Sequence, residues 1–244
     1  MPVLPTLAAV AVSLLVRHGL TAQTGPVLTG WTPGVHLDER GRAQAERLGA
    51  RLADLPVVRV VTSPLDRCQD TAGHLVQARG DAGPEAVVDE RLGEVRYGDW
   101  TGRELKELRD EPLWKTVAQQ PSAVQFPGGE ALVDVQARAL SAVREHDAAV
   151  EAEHGPHALW VAVSHGDVIK AVVAHAYGMH LDAFQRVLVD PCSLSAVRWT
   201  AERPYVLRVN DTGGDVDALR PPSPDEQQAG DDGPAVGGGT GARG

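Results

Sequence analysis

Two histidines occupy matching places in the chain. His18 closes toward the triplet Arg17-His18-Gly19 after the apolar run 13–16 (SLLV), and His165 lies in Ser164-His165-Gly166 after the run 159–163 (LWVAV). Short, β-branched runs of this kind form strands buried on both faces of a sheet. In an open α/β sheet the carboxyl ends of the strands face the crevice where ligands bind, so the two imidazoles can converge on one site. A neutral imidazole nitrogen attacks phosphorus in line when its other nitrogen is held as a donor by a carbonyl or carboxylate. Either histidine could act in that way. A phosphoryl group carries charge on its nonbridging oxygens, which fixed cations and oriented donors must neutralise. Arg17 suits that task, and so does Arg67, early in the helix predicted after the run 57–62; the planar fork of a guanidinium matches an oxyanion. The start of the helix after His165 adds backbone N–H groups and the positive end of a dipole. An alkoxide leaves poorly unless protonated, and Glu94, in 91–98 (RLGEVRYG), is the best-placed carboxylic acid.

The elements that must position these groups follow from periodicity. Strands at 13–16, 57–62 and 159–163 alternate with helical patterns at 39–55, 64–79 and 167–177, which means an α/β fold. In the first helix Ala45, Leu48, Leu52 and Leu55 share a face behind Asp38 as cap; Pro64 opens the second, and Gly178 closes the third. A long helix over 130–153 places Leu132, Val135, Ala139 and Val143 on one side. Strands at 193–199 and 204–209 complete the sheet, at least one of them antiparallel. Segment 91–129 is polar, contains Pro112, Pro121 and Pro127, lacks a buried-strand run, and reads as a lid.

Of the formal net charge of −10, half falls in residues 211–244, where seven acids face two arginines among many glycines and prolines. That composition predicts a disordered tail. The body is mildly acidic with no basic run, so nucleic acid is not an expected partner. The apolar stretch 3–16 is too short to span a bilayer, and no Lys or Arg precedes it; it reads as a buried strand behind an N-terminal extension, 1–12, with no membrane partner. Two distant cysteines, Cys68 and Cys192, suggest neither a zinc site nor a disulfide framework and fit a reducing cytoplasm. The other seven histidines are expected at the surface, Arg96 likewise, and Cys68 packed and inert. Trp31 and Trp100 are expected to pack lid and loop.

Taken together, RHG, Gly30-Trp31, Leu37-x3-Gly41-x2-Gln44-Ala45, Ser63-x3-Arg67-x3-Thr71-Ala72, Glu94-x3-Gly98-x-Trp100-x-Gly102, Pro127-Gly128-Gly129-Glu130 and Ser164-His165-Gly166 resemble the histidine phosphatase superfamily, the phosphoglycerate mutase-like proteins, over about 13–210. RHG alone is weak; this many elements in this order are specific. The resemblance implies a three-layer α/β/α sandwich, mostly parallel, and a phosphohistidine enzyme without metal or other cofactor. It gives His18 the role of nucleophile, Glu94 that of proton donor, and places Arg17, Arg67 and His165 in a phosphate pocket. Thr24 stands where the family often has Asn, and its hydroxyl can still donate to phosphate. Leu20 replaces a usual Glu or Gln. The family's mutases carry a longer, more basic lid, so the expectation is a hydrolase of small phosphomonoesters. The alternatives are a mutase-type phosphotransferase and a non-catalytic phosphate sensor. A homodimer is compatible with the sequence.

Overall fold

The three apolar runs become neighbouring strands in the middle of one sheet. A computed structural model describes residues 10–80 and 83–214. Its strands are β1 (Val12–Arg17), β2 (Val57–Thr62), β3 (Ala86–Val88), β4 (Leu159–Ser164), β5 (Leu194–Trp199) and β6 (Pro204–Asp211), in the order β3-β2-β4-β1-β5-β6. Pairing is parallel from β3 through β1, whereas β5 runs antiparallel to both β1 and β6. The helices are α1 (Glu39–Leu52), α2 (Asp66–Gln77), α3 (Leu105–Leu108), α4 (Pro112–Gln119), α5 (Leu132–His154) and α6 (Gly166–Ala176).

Strand alternation divides the core into two. Leu14 and Val16 pack with Ala45, Leu48, Ala72 and Leu75 of α1 and α2. Leu15 faces the opposite way, into a cluster holding Val135, Ala139 and Val143 of α5 and Ile169 of α6. Successive side chains of a strand point to opposite faces, so a run apolar at every position is covered on both. The result is the expected three-layer α/β/α sandwich.

Several details differ from the sequence reading. Helix α1 stops at Leu52, and Leu55 is 37% exposed; Pro56 pushes the residue before it out of helical conformation. Helix α2 begins at Asp66 with Leu65 as its cap, so Pro64 lies ahead of the first turn. Strand β3 escaped notice because its three residues are all exposed at the sheet edge. Asp211 belongs to the fold: it pairs with Leu194 and its carboxylate meets Arg51 at 2.8 Å. The tail expected from there lies outside the described residues after 214, as does the N-terminal extension before Val10.

Segment 91–129 is less polar in space than in sequence. Leu92, Val95, Tyr97, Trp100, Leu108 and Phe126 are buried in the main core, and Leu105, Leu113 and Trp114 pack against it half-buried. Tyr97 packs edge-on against Phe126, and Trp100 stacks on Trp114. The segment is therefore a packed layer.

The loop after β1 is fixed against α1 by close backbone approach. Asp38 N–H donates to Leu20 O at 3.0 Å, and a Cβ on Gly41 would stand 2.0 Å from that same oxygen. Neither backbone can yield without moving the residues after His18. Gly41→Ala is expected to destabilise the fold on the order of 2 kcal/mol or more, read as a lower urea midpoint; an unchanged midpoint would show that this contact does not constrain the loop.

Candidate active site

Three neighbouring parallel strands end almost level and deliver three residues in a row. Arg17 is in register with Ser164, and Thr62 with Val163. The ladder continues one step further, with His18 N–H donating to Ser164 O at 3.0 Å and Ser63 N–H to Val163 O at 2.9 Å. Hence Ser63, His165 and His18 follow from β2, β4 and β1. The two imidazoles lie 5.2 Å apart between centroids, at 60°. Residues 147 positions apart meet because β1 and β4 are partners.

The His18 ring is fixed by its own backbone. Nδ1 lies 2.7 Å from Gly19 O, and a carbonyl only accepts, so Nδ1 carries the hydrogen and Nε2 keeps a lone pair. Gly19 N–H in turn donates to Thr71 Oγ1, which donates to Arg67 O. The loop holding His18 is thereby tied to the helix carrying Arg67. Burial, with Arg67 and Arg17 nearby, holds the His18 pKa well below the ordinary imidazole value. It is neutral at pH 7.

Arg67 donates through Nη2 to Gly30 O at 2.9 Å and to His165 Nδ1 at 3.2 Å. His165 therefore accepts at Nδ1 and donates from Nε2 to Ser63 Oγ, 2.8 Å away. The Arg67 Nη1 group is buried without a hydrogen-bond partner among the described residues, so a donor is left for an incoming anion. Arg17 donates to Val189 O at 2.8 Å. Both guanidiniums are buried, an arrangement that needs compensating negative charge.

Glu94 comes from segment 91–129. Its backbone carbonyl accepts from Trp31 Nε1 at 2.5 Å and from Arg138 Nη2 at 3.0 Å. Arg138, on α5, also binds the carbonyls of Arg91 and Gly93 and the carboxylate of Glu130. This clamp sets the carboxyl, whose Oε1 accepts from Val95 N–H and whose Oε2 lies 3.7 Å from His165 Nδ1. Burial first and the charge of Asp167 second raise its pKa to about 7, against the pull of Arg67 and Arg17. Glu94 thus exchanges its proton near neutrality.

Arg17, His18, Thr24, Arg67 and Glu94 line one cleft. Thr24 Oγ1 lies 3.0 Å from Thr21 Oγ1 and accepts from Thr21 N–H. His165 is fully buried beside the cleft, against Arg67, rather than on its wall. Sequence reasoning missed Tyr97, which lines the cleft and donates to Asp167 at 3.2 Å, and Arg138, whose role comes only from tertiary contact. Ser63 stood in the quoted pattern without a role. Cys68 is buried with its pKa pushed up to about 12 by burial, an unreactive thiol. Arg96 is exposed and lies over the Trp31 ring at 3.7 Å. Among the described residues no group of three or more His, Cys, Asp or Glu is placed to hold a metal ion, and no helix is long and apolar enough to cross a membrane.

Comparison with known proteins places this geometry. The sequence profile of the histidine phosphatase superfamily (branch 1) matches residues 13–212. The chain belongs to that superfamily. A relative from Gloeobacter violaceus, 2,3-bisphosphoglycerate-dependent phosphoglycerate mutase 2, is 30% identical over 219 residues, 88% of this chain and 96% of its own. Phosphoserine phosphatase 1 of Hydrogenobacter thermophilus is 28% identical over 204 residues, 82% of this chain and 92% of its own. The structure of mycobacterial glucosyl-3-phosphoglycerate phosphatase with VO3 superposes with a TM-score of 0.73 at 28% identity, covering 82% of this chain and 98% of that one. This superfamily member has a histidine-centred site of the phosphohistidine, metal-independent hydrolytic type.

A titratable group so deeply buried leaves a mark on stability. The folded state keeps the Glu94 proton up to about pH 7, whereas the unfolded chain releases it near 4.5. The favourable contribution of the protonated form is complete below about pH 4.5 and lost as pH rises through 7, a difference of roughly 3 kcal/mol. Glu94→Gln should therefore exceed the wild type in stability at pH 8 and lose that advantage by pH 4.5, measured by urea unfolding. A difference that does not vary with pH would contradict the raised pKa.

Proposed function

We propose that the protein is a cytoplasmic phosphomonoester hydrolase working through a phosphohistidine on His18, with residues 13–210 as the catalytic domain and 91–129 completing its cleft. The observation that carries this reading is the bond between His18 Nδ1 and Gly19 O, which leaves Nε2 as a lone-pair nitrogen beside two buried guanidiniums. Free, buried thiols support the reducing compartment, and the cleft suits a small-molecule substrate.

Reaction proceeds in two in-line steps. In the first, Nε2 attacks phosphorus, the ester P–O bond breaks, and the Glu94 carboxyl gives its proton to the departing oxygen. No proton need leave His18, because its imidazole is already neutral. Arg17 and the spare N–H of Arg67 hold the equatorial oxygens, with the Thr24 hydroxyl at the rim, while His165 sets the plane of Arg67. In the second step water attacks the phosphoimidazole, its proton passes to the Glu94 carboxylate, and the N–P electron pair returns to Nε2 as phosphate leaves. A carboxyl whose pKa lies near 7 serves both directions. A mutase-type transferase would share the first step and return the phosphoryl group to a second hydroxyl; a phosphate sensor would stop at binding. Homodimer formation and the mutase alternative both leave the attack by His18 unchanged.

His18→Ala is expected to abolish turnover of aryl and alkyl phosphates while preserving the fold by circular dichroism; turnover at the wild-type rate would end this reading. In kcat/KM, which reports only the phosphoryl transfer to His18, Glu94→Gln should slow alkyl phosphates by about 10²–10⁴-fold and 4-nitrophenyl phosphate far less, since nitrophenolate departs without a proton. Equal losses on both would remove Glu94 from the acid role.

A further inference from the structure

The cleft has a charged floor and an uncharged wall. Its lining contains two cations, Arg17 and Arg67, both buried, and in the reaction proposed above a dianionic phosphoryl group occupies both. The remaining lining side chains, apart from His18 and Glu94, are neutral: Thr21, Thr24 and Thr29, apolar Val27, Leu28 and Leu105, and Tyr97. This wall is a built feature. Leu28 N–H donates to Arg103 O, Gly102 N–H to Leu28 O and Leu105 N–H to Pro26 O, each at 2.8–2.9 Å, zipping the loop after β1 to the start of α3. Val27 pairs antiparallel with Glu104. Nearby cations on segment 91–129 are engaged elsewhere: Arg103 with Glu111 at 2.6 Å, Lys106 with Glu104 at 2.6 Å, and Arg96 over Trp31.

We propose that the site selects phosphomonoesters whose leaving alcohol is uncharged, and discriminates against those bearing a carboxylate or second phosphate. This inference rests on the hydrolase reading above and adds the substrate class. A leaving group seated against the wall loses water. A carboxylate there would be desolvated with no cation on the wall to face it. A hydroxyl loses much less, and the threonine oxygens can accept from it: Thr29 Oγ1 donates to Gln23 Oε1 at 3.4 Å and retains its lone pairs. Apolar carbons of the same alcohol pack on Val27, Leu28 and Leu105. The preference is thus set by what the wall lacks as much as by what it offers.

A matched pair of substrates tests this with the full-length enzyme. Glycerol 3-phosphate and 3-phosphoglycerate differ in carrying a hydroxymethyl or a carboxylate at the far carbon. Both are measured for kcat/KM and as competitive inhibitors of 4-nitrophenyl phosphate hydrolysis. The expected result is at least a tenfold preference for glycerol 3-phosphate in one of these measures and no preference for 3-phosphoglycerate in the other. Thr29→Arg, which sets a guanidinium on the wall, should shift the ratio toward 3-phosphoglycerate by tenfold or more. Equal or reversed wild-type preference, with 4-nitrophenyl phosphate still hydrolysed, overturns the proposal and leaves the hydrolase reading standing. The wild-type ratio decides it whether or not the variant folds. Absence of hydrolysis of all three substrates overturns the hydrolase reading and this inference with it.

Discussion

One hydrogen bond organises the site: the one between the His18 ring and the carbonyl of the next residue. An imidazole has two nitrogens and one transferable hydrogen, so fixing where the hydrogen sits also fixes where the lone pair sits. At 2.7 Å the Gly19 carbonyl holds the hydrogen on Nδ1 and turns Nε2 toward the cleft. That carbonyl is itself held in place. A Cβ on Gly19 would stand 2.7 Å from Gly41 O, so the loop runs against α1 at backbone contact, and its N–H is tied to Thr71. The strand, two helices and a glycine pair thus converge on the tautomer of a single ring.

Burial then sets the protonation states that the chemistry needs. The same loss of water that holds His18 and His165 neutral raises Glu94 to about 7, because desolvation disfavours whichever form is charged. Two arginines reinforce the first effect and oppose the second; Asp167, reached from α6 and bonded to Tyr97, restores the balance on the carboxyl side. A nucleophile that needs no deprotonation and an acid poised near neutrality are therefore products of the same burial. The pairing would fail if the cleft were open to solvent.

Much of this was legible in the sequence, for identifiable reasons. The strands at 13–16, 57–62 and 159–163 are apolar at nearly every position, a signal that survives without any tertiary information, and the residues just past them had to face the crevice. Hence His18, Arg17 and His165 could be read from pattern alone, and Arg67 from its place early in the following helix. Glu94 was harder, because it sits in a segment whose sparse apolar residues lack helical or strand period; Leu92, Val95 and Tyr97 reach the core individually. Arg138 was invisible, since nothing in the pattern of α5 distinguishes an arginine that collects three carbonyls from one in solvent. The neutrality of the wall was equally hidden, as it depends on residues 26–30 meeting 102–105 across a loop pairing with no sequence signature. Boundaries failed where a short or exposed element carried no burial pattern, as at β3 and Asp211.

The proposed chemistry requires one particular atom to carry the phosphoryl group. Rapid acid-free quenching during turnover, followed by 31P–1H correlation NMR of the trapped phosphoenzyme, distinguishes the two ring nitrogens and the two histidines. The geometry calls for a single adduct on Nε2 of His18, with Nδ1 still bonded to hydrogen. An adduct on Nδ1 of His18, or on His165, would mean that the Gly19 carbonyl does not select the nucleophile.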